Sequence, residues 1–258
     1  MKGKYLLLAA AVAAGLAACR KTPELRVGVF EQDVACPLAE GAADSISFRI
    51  RVEYPVAGCP DAVLEAVRTT IADRIFGGGE LSDAARDYID AAVADYRENA
   101  GDLLRWASEQ GVDSAALNWE EQISGYVYDH FRDLLSYGIY TYSYQGGAHG
   151  LSALQGLVFD LADGSLVTES AFFIPGFREE LSGLLTAHLR EALPDDDAYE
   201  ALFVKDIEPN GNFLVSEKGV TYIYGPYEIG PYYLGGIEVT VPWEEAEPLL
   251  ARPGPDRG

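Results

Sequence analysis

The stretch "YGIYTYSYQGGAHGLSALQGLVFDL", residues 137–161, sets Tyr140, Tyr142 and Tyr144 at every second position, breaks at a glycine-rich turn and then resumes an apolar alternation. A two-residue period is the mark of a strand, because successive side chains of an extended backbone point to opposite faces. Gly146 and Gly147 supply the positive φ angles of a tight turn, Gly150 closes it, and His149 is expected to pin it by hydrogen bonding to backbone. Two strands joined this way call for further antiparallel neighbours, which sets the fold class.

Working toward the C-terminus, Asp163-Gly164 predicts a second hairpin turn, leading into "SLVTE". Phe177, Leu181, Leu184, Leu185, Leu189 and Ala192 then trace an amphipathic helix that Pro194 stops. "NFLVSEKGVTYIYGPYEIGPYYLGGIEVTVPW" returns to strand, with Glu217-Lys218-Gly219 as a turn and the Gly-Pro pairs at 225–226 and 230–231 breaking the later pairing into a loop. Working toward the N-terminus, "WEEQISGYVYDHFRDL" places Ile123, Val127 and Phe131 on one side of a strand, although its charge content leaves a helix open. A helical region from Ser82, interrupted near Gly101, has Leu81, Ala85, Tyr88, Ala92 and Tyr96 as its packing stripe; before it, Asp61 is the expected N-cap of a helix closed by Gly77-Gly78-Gly79. "RVGVFEQDVACPL" and "SISFRIRVEYPV" alternate as a first hairpin turning near Gly41.

This order predicts an α+β fold with mainly antiparallel sheets and helices packed on one face. It divides into a ββαα module over 26–117 and a βββαββ module over 118–250, followed by a tail at 251–258 that lacks apolar content and is expected to be disordered.

The N-terminus assigns a compartment. "MKGKYLLLAAAVAAGLAAC" has two lysines, an apolar run shorter than the ~20 residues that span a bilayer, and small residues before Cys19. Residues 1–18 therefore read as a signal peptide, and Leu16-Ala17-Ala18-Cys19 resembles a lipobox that acylates Cys19, with 19–25 as a lipidated tether. The expected location is the bacterial cell envelope, lipid-anchored in the outer membrane or a periplasm-facing membrane.

Cleavage removes Lys2 and Lys4, leaving 17 basic residues against 41 acidic ones, a formal charge of −24 where the whole chain has −22. So acidic a surface repels nucleic acid, while a basic partner would be drawn to it in a salt-dependent way. Cys36 and Cys59 remain after Cys19. An export compartment permits a disulfide between them, yet in a simple hairpin Cys36 lies near the turn and Cys59 past the open end, so two free thiols are the competing reading. The spacing of His130, His149 and His188 contains no HxH or HExxH pattern, and no metal or cofactor is expected.

"YTYSYQGGAHG", "FDLADGSLV", "FREELSGLL" and the long C-terminal strand segment together resemble the RsiV-like family, whose exported domain of unknown function belongs to a lysozyme-sensing anti-sigma factor. "IRVEYPVAGCPDAVLEAVRTTI" is similar to the smaller module that precedes that domain and is also found in the peptidoglycan deacetylase PdaC. Neither the sigma-binding segment and transmembrane helix of such sensors nor the catalytic domain of the deacetylase has a counterpart here. The resemblance therefore implies an exported binding domain whose partner is a lysozyme-type muramidase or a peptidoglycan component.

The candidate site residues follow from these readings. The loop contributing Tyr227, Glu228, Pro231, Tyr232 and Tyr233 is the expected partner contact, because exposed tyrosine on a stiff loop loses little entropy on binding. The tyrosine strand faces either point inward as cross-strand packing or outward as a platform. No catalytic residue is assigned in the preferred, non-enzymatic reading. The alternative is an envelope hydrolase or cell-wall modifying enzyme centred on His149 with Asp129 or Asp160; a third option is a structural accessory lipoprotein.

Overall fold

The computed structural model describes residues 24–111 and 117–251. The signal peptide, Cys19 and nearly all of the tail lie outside the described residues. Strands β1 (Arg26–Pro37) and β2 (Ser45–Ala57) form the first hairpin, with Cys36 opposite Ile46 and Arg26 opposite Ala57. Ile46, Phe48, Ile50 and Val52 of β2 are all buried, as the alternation requires. The register carries Cys36, opposite Ile46, and Cys59, just past Ala57, to opposite ends of a ladder about 36 Å long at ~3.3 Å per residue. Both are free thiols, the second of the two readings.

Helix α1 (Asp61–Phe76) buries Val63, Leu64, Val67, Ile71 and Ala72 and ends on Gly77 in the left-handed region (φ 86°). Its N-cap is Pro60, without a side-chain bond, and Asp61 is instead the acid of the first turn, where it faces the positive end of the helix dipole. Helix α2 runs unbroken through Leu81–Gln110, against the expected interruption at Gly101. Glu80 caps it by accepting from Ser82 N. A single glycine costs less than the packing of the buried stripe Ala85, Ile89, Val93, Tyr96 and Ala100 returns, so the helix continues.

Strands β3 (Trp119–Phe131), β4 (Leu134–Tyr144) and β5 (Leu151–Asp160) follow. They extend the first hairpin into one five-stranded sheet, order β1-β2-β3-β4-β5, so a single sheet runs across the expected module boundary. The β2–β3 pair is parallel, with Ile46 opposite Trp119 and Ile50 opposite Ile123, and α1 and α2 form the crossover that a parallel pair needs. Both helices pack on one face, Ile71 of α1 and Tyr96 of α2 sharing a core with Val52, Leu135, Tyr137 and Phe159 of the sheet. Ile123 belongs to this core, but an irregularity between Val127 and Asp129 redirects the end of β3. Phe131 consequently stacks on Trp243 in the other core, with ring centroids 5.6 Å apart.

Asp163-Gly164 does turn the chain, with Gly164 at φ 81°, but "SLVTE" pairs only through the bridge Phe159–Leu166 and forms no strand. After the short α3 (Glu169–Phe172), the amphipathic helix α4 spans Arg178–His188, ending before Pro194, and α5 covers Asp196–Glu200. A three-stranded antiparallel sheet of β6 (Phe213–Ser216), β7 (Gly219–Tyr224) and β8 (Ile237–Pro242) completes the lobe before α6 (Trp243–Ala246). The C-terminal module thus has three closing strands, not two, because the chain comes back after the Gly-Pro loop to pair Tyr224 with Ile237. This sheet builds its own core with Phe173, Leu181, Leu185, Tyr222, Tyr224 and Val239.

The two sheets are fastened polar group to polar group. Ser136 Oγ of β4 donates to Val215 O at 2.6 Å and accepts from Val215 N at 2.8 Å. Asn212 donates to Leu154 O and Ile223 O and accepts from Gly156 N, so one amide joins β5 to β7. Among the described residues, no helix is long and apolar enough to cross a membrane.

Candidate functional site

The turn that joins β4 to β5 is built as its residues dictate. Gly146 and Gly147 hold φ angles of 86° and 110°, and Tyr144 Oη donates to Gly147 O at 3.0 Å. His149 is exposed, with Nδ1 at 3.0 Å from Gly150 O, a bond that requires the proton on Nδ1. Gly150 is buried beneath Tyr142: a Cβ there would lie 2.5 Å from that ring. The expected pinning role of His149 has a geometric counterpart, but its ring also does something the sequence does not disclose. It stacks on Tyr232 with centroids 4.0 Å apart and an interplanar angle of 20°, and Tyr232 Oη donates to Gly150 O at 2.7 Å.

The two glycine-broken segments, 82 residues apart at this contact, therefore form one site and do not lie at separate ends of the sheet. Within the second loop, Tyr227 takes a left-handed conformation (φ 68°), rare for a non-glycine residue. Glu228 holds the loop from inside, accepting from Gly225 N at 2.7 Å and from Asn210 Nδ2 at 2.8 Å, so its side chain is committed to structure. Ile229 is buried and its carbonyl accepts from Phe203 N and Val204 N. After Pro231, a 3-10 turn over Tyr232–Leu234 brings Tyr232 back to a tilted contact with Tyr227 at 5.6 Å. Tyr227 and Tyr233 project, 53% and 72% exposed. Phe203 and Val204, which sequence reasoning passed over, are exposed beside the same loop at 64% and 41%. No periodicity marks them, since they follow α5 in irregular backbone.

The tyrosine strands divide. Tyr222 and Tyr224 point inward, fully buried, and burial together with Glu169 and Glu228 drives their phenols well above the usual range. Tyr140, Tyr142 and Tyr144 lie half-buried on the face of the large sheet that α1 and α2 leave uncovered. Their cross-strand neighbours on that face are Ser124, Gln122 and Glu120, and Arg49 of β2 is opposite Gln122. Desolvation, then Glu120 and the hydroxyls of Tyr232, Tyr140 and Tyr144, raise the Tyr142 phenol, so it remains a neutral donor. The result is an aromatic edge flanked by Glu120 and Arg49 on a chain with an excess of acidic residues.

The alternative catalytic set is not brought together. His149 sits beyond Tyr144, whereas Asp129 is opposite Ser136 and Asp160 opposite Leu134, at the other end of the strands. Nine rungs of β5 separate Leu151 from Asp160, about 30 Å. Asp129 accepts from Glu217 N and Asp160 from Ala162 N, both backbone roles. Ser143 donates to Glu121 on the opposite face from Tyr142. His188 lies within reach of Glu245 and Glu191, linking α4 to α6. Among the described residues no group of three or more His, Cys, Asp or Glu side chains converges to hold a metal.

Fold and site define an α+β domain of two sheets whose β4–β5 turn and Tyr227–Leu234 loop meet in one aromatic edge. Residues 170–244, which are most of the C-terminal lobe, match the family model described as a protein of unknown function, DUF3298. Among solved structures the chain is similar to a member of the DUF3298 family from Bacteroides fragilis NCTC 9343, at 22% identity and TM-score 0.79, covering 90% of this chain and 95% of that one. It is also similar to a DUF3298 family protein from Pseudomonas aeruginosa PAO1, at 16% identity and TM-score 0.62, covering 91% and 99%. These likenesses establish a shared fold across both lobes. Comparison with curated proteins gave no match.

Proposed function

We propose that this chain is a non-enzymatic lipoprotein of the bacterial envelope, anchored through Cys19, whose RsiV-like C-terminal domain binds a basic, lysozyme-type muramidase at the Tyr227–Tyr233 edge. The observation that carries the reading is exposed tyrosine on fixed backbone. Tyr227 and Tyr233 stand exposed on a loop locked by Glu228, Ile229 and the His149–Tyr232 stack. Aromatic side chains held in advance contribute contact area at low entropic cost, which is the makeup of a binding hot spot.

The excess of acidic residues supplies long-range attraction for a basic partner and leaves short-range contact to the tyrosines. Separation of His149 from Asp129 and Asp160 weighs against the hydrolase alternative. Calorimetry of the soluble domain with a panel of lysozymes, at low and moderate salt, tests the proposal. Saturable binding that weakens with salt and is lost in the Tyr227→Ala/Tyr233→Ala double variant supports it. Failure to bind at either salt refutes the muramidase version, and binding to peptidoglycan fragments alone would move the partner from protein to cell wall. Hydrolytic screening beside His149→Ala checks the enzyme reading, which requires the two profiles to differ.

A further inference from the structure

Phe203 and Val204 are consecutive apolar residues that both face solvent, 64% and 41% exposed, between the buried Leu202 and Ile207. Apolar residues scattered singly over a surface are ordinary, but two in a row beside further exposed aromatics make a patch. The backbone holds the pair outward. Phe203 N and Val204 N both donate to Ile229 O, at 2.9 and 3.2 Å, and Ile207 N donates to Thr186 Oγ1 at 3.1 Å. The core positions on either side of the tip are taken by Leu202 and Ile207.

Through Ile229 this segment lies against the loop of Tyr227 and Tyr233. At ~200 Å² for an aromatic side chain, the exposed parts of Phe203, Tyr227 and Tyr233 come to roughly 400 Å². That is about half of one partner's share of a standard protein interface, the extent of an apolar interface core. Such a core is completed by a polar rim, and the rim available here is acidic. Residues 195–208, which carry the tip, hold six carboxylates and one cation, Lys205. Asp195 caps α5 by accepting from Ala198 N, Asp196 pairs with Arg190, and Glu200 pairs with Lys205. Asp197, Asp206 and Glu208 are exposed and pair with no cation among the described residues. Carboxylates left in this state speed encounter with a basic partner and repel an acidic one.

We propose that Phe203 and Val204 extend the Tyr227–Tyr233 edge into one docking surface for a basic protein, with Phe203 as a second anchor and Asp197, Asp206 and Glu208 as its charged rim. The part played by Tyr227 and Tyr233 rests on the proposed function; the need for Phe203 and for the rim does not. Calorimetric titration of the full-length chain in detergent micelles tests it, with three probes: lysozyme, cytochrome c as a basic protein that is not a muramidase, and serum albumin as an acidic one. Lysozyme is expected to bind saturably and more weakly as salt rises, and albumin not at all. Phe203→Ala should weaken binding at least about tenfold with an unchanged melting temperature, since its side chain stands in solvent. Asp206→Asn/Glu208→Gln should flatten the salt dependence. Equal affinity of Phe203→Ala and the parent for lysozyme would overturn this surface and leave the muramidase reading standing. Binding of cytochrome c that requires Phe203, with lysozyme inert, would support the surface and overturn that reading. Binding of neither basic protein, or equally tight binding of albumin, would overturn the surface.

Discussion

Asn212 shows how much one side chain holds. Its amide accepts from Gly156 N and donates to Leu154 O and Ile223 O, closing a sheet edge and joining the two lobes. Asn212→Ala leaves these groups without their partner in a part-buried seam, and chemical denaturation should show a loss of about 2 kcal/mol. Gly150→Ala should be costly for a different reason. The new Cβ meets the outer end of the Tyr142 ring at 2.5 Å, so the ring must shift beside the His149–Tyr232 stack. Reduced stability together with weakened partner binding is the expected outcome, while Gly147→Ala, with open space but φ 110°, should affect the turn alone. The sequence announces Gly146, Gly147 and His149 through turn chemistry. It is silent on the stacking of His149 on Tyr232, because that contact depends on tertiary placement of a loop far away in the chain.

At the scale of elements, α2 and β3 carry two separable predictions. Gly101 lies in the interior of α2 on an exposed turn, and a Cβ there meets nothing within 4 Å. Gly101→Ala should raise stability by about 0.5–1 kcal/mol in thermal unfolding. Glu121, on the helix-facing side of β3, has its carboxyl raised above the ordinary range by desolvation, offset in part by bonds from Ser143 and Gln145. Its folded form therefore holds a proton more tightly than the unfolded chain does. Stability from this group is fully present below the unfolded carboxylate range and falls as pH rises toward the folded value. Glu121→Gln should accordingly melt higher than the parent at neutral pH, with the gap closing as the pH drops into the acid range.

Element type was mostly legible, since strand alternation in β2 and β4 and the four-residue steps of α1 follow directly from which faces are buried. The parallel β2–β3 pair was not, because pairing partners across a helical crossover leave no local signal. Nor was the continuity of α2, where tertiary packing outweighed a glycine's propensity.

For the whole molecule, the register gives the sheet two distinct ends. Arg26 and Ala57 share one end with Phe131, Leu134 and Asp160, while Ile46, Trp119 and the Gln145–Gly150 turn share the other. Were Cys19 acylated as proposed, the first end, where the described chain begins at Glu24, would be the one nearer the bilayer. Twelve residues of β1 then carry the aromatic edge about 40 Å away. A donor dye at an engineered Arg132→Cys should transfer energy to bilayer-surface acceptors more efficiently than one at Ala148→Cys. Equal transfer would contradict this orientation. The α+β class and the broken backbone of both glycine-rich segments could be read from the chain, but their contact in one edge required the fold.

That union is the central claim, and hydrogen exchange measures it most directly. On saturation of the soluble domain with lysozyme, amides of the Tyr227–Leu234 loop and of the Gln145–Gly150 turn should gain protection together, with Tyr232→Ala abolishing both changes. Protection confined to the Asp129–Leu134 end of the sheet, or no protection in either segment, would contradict the account.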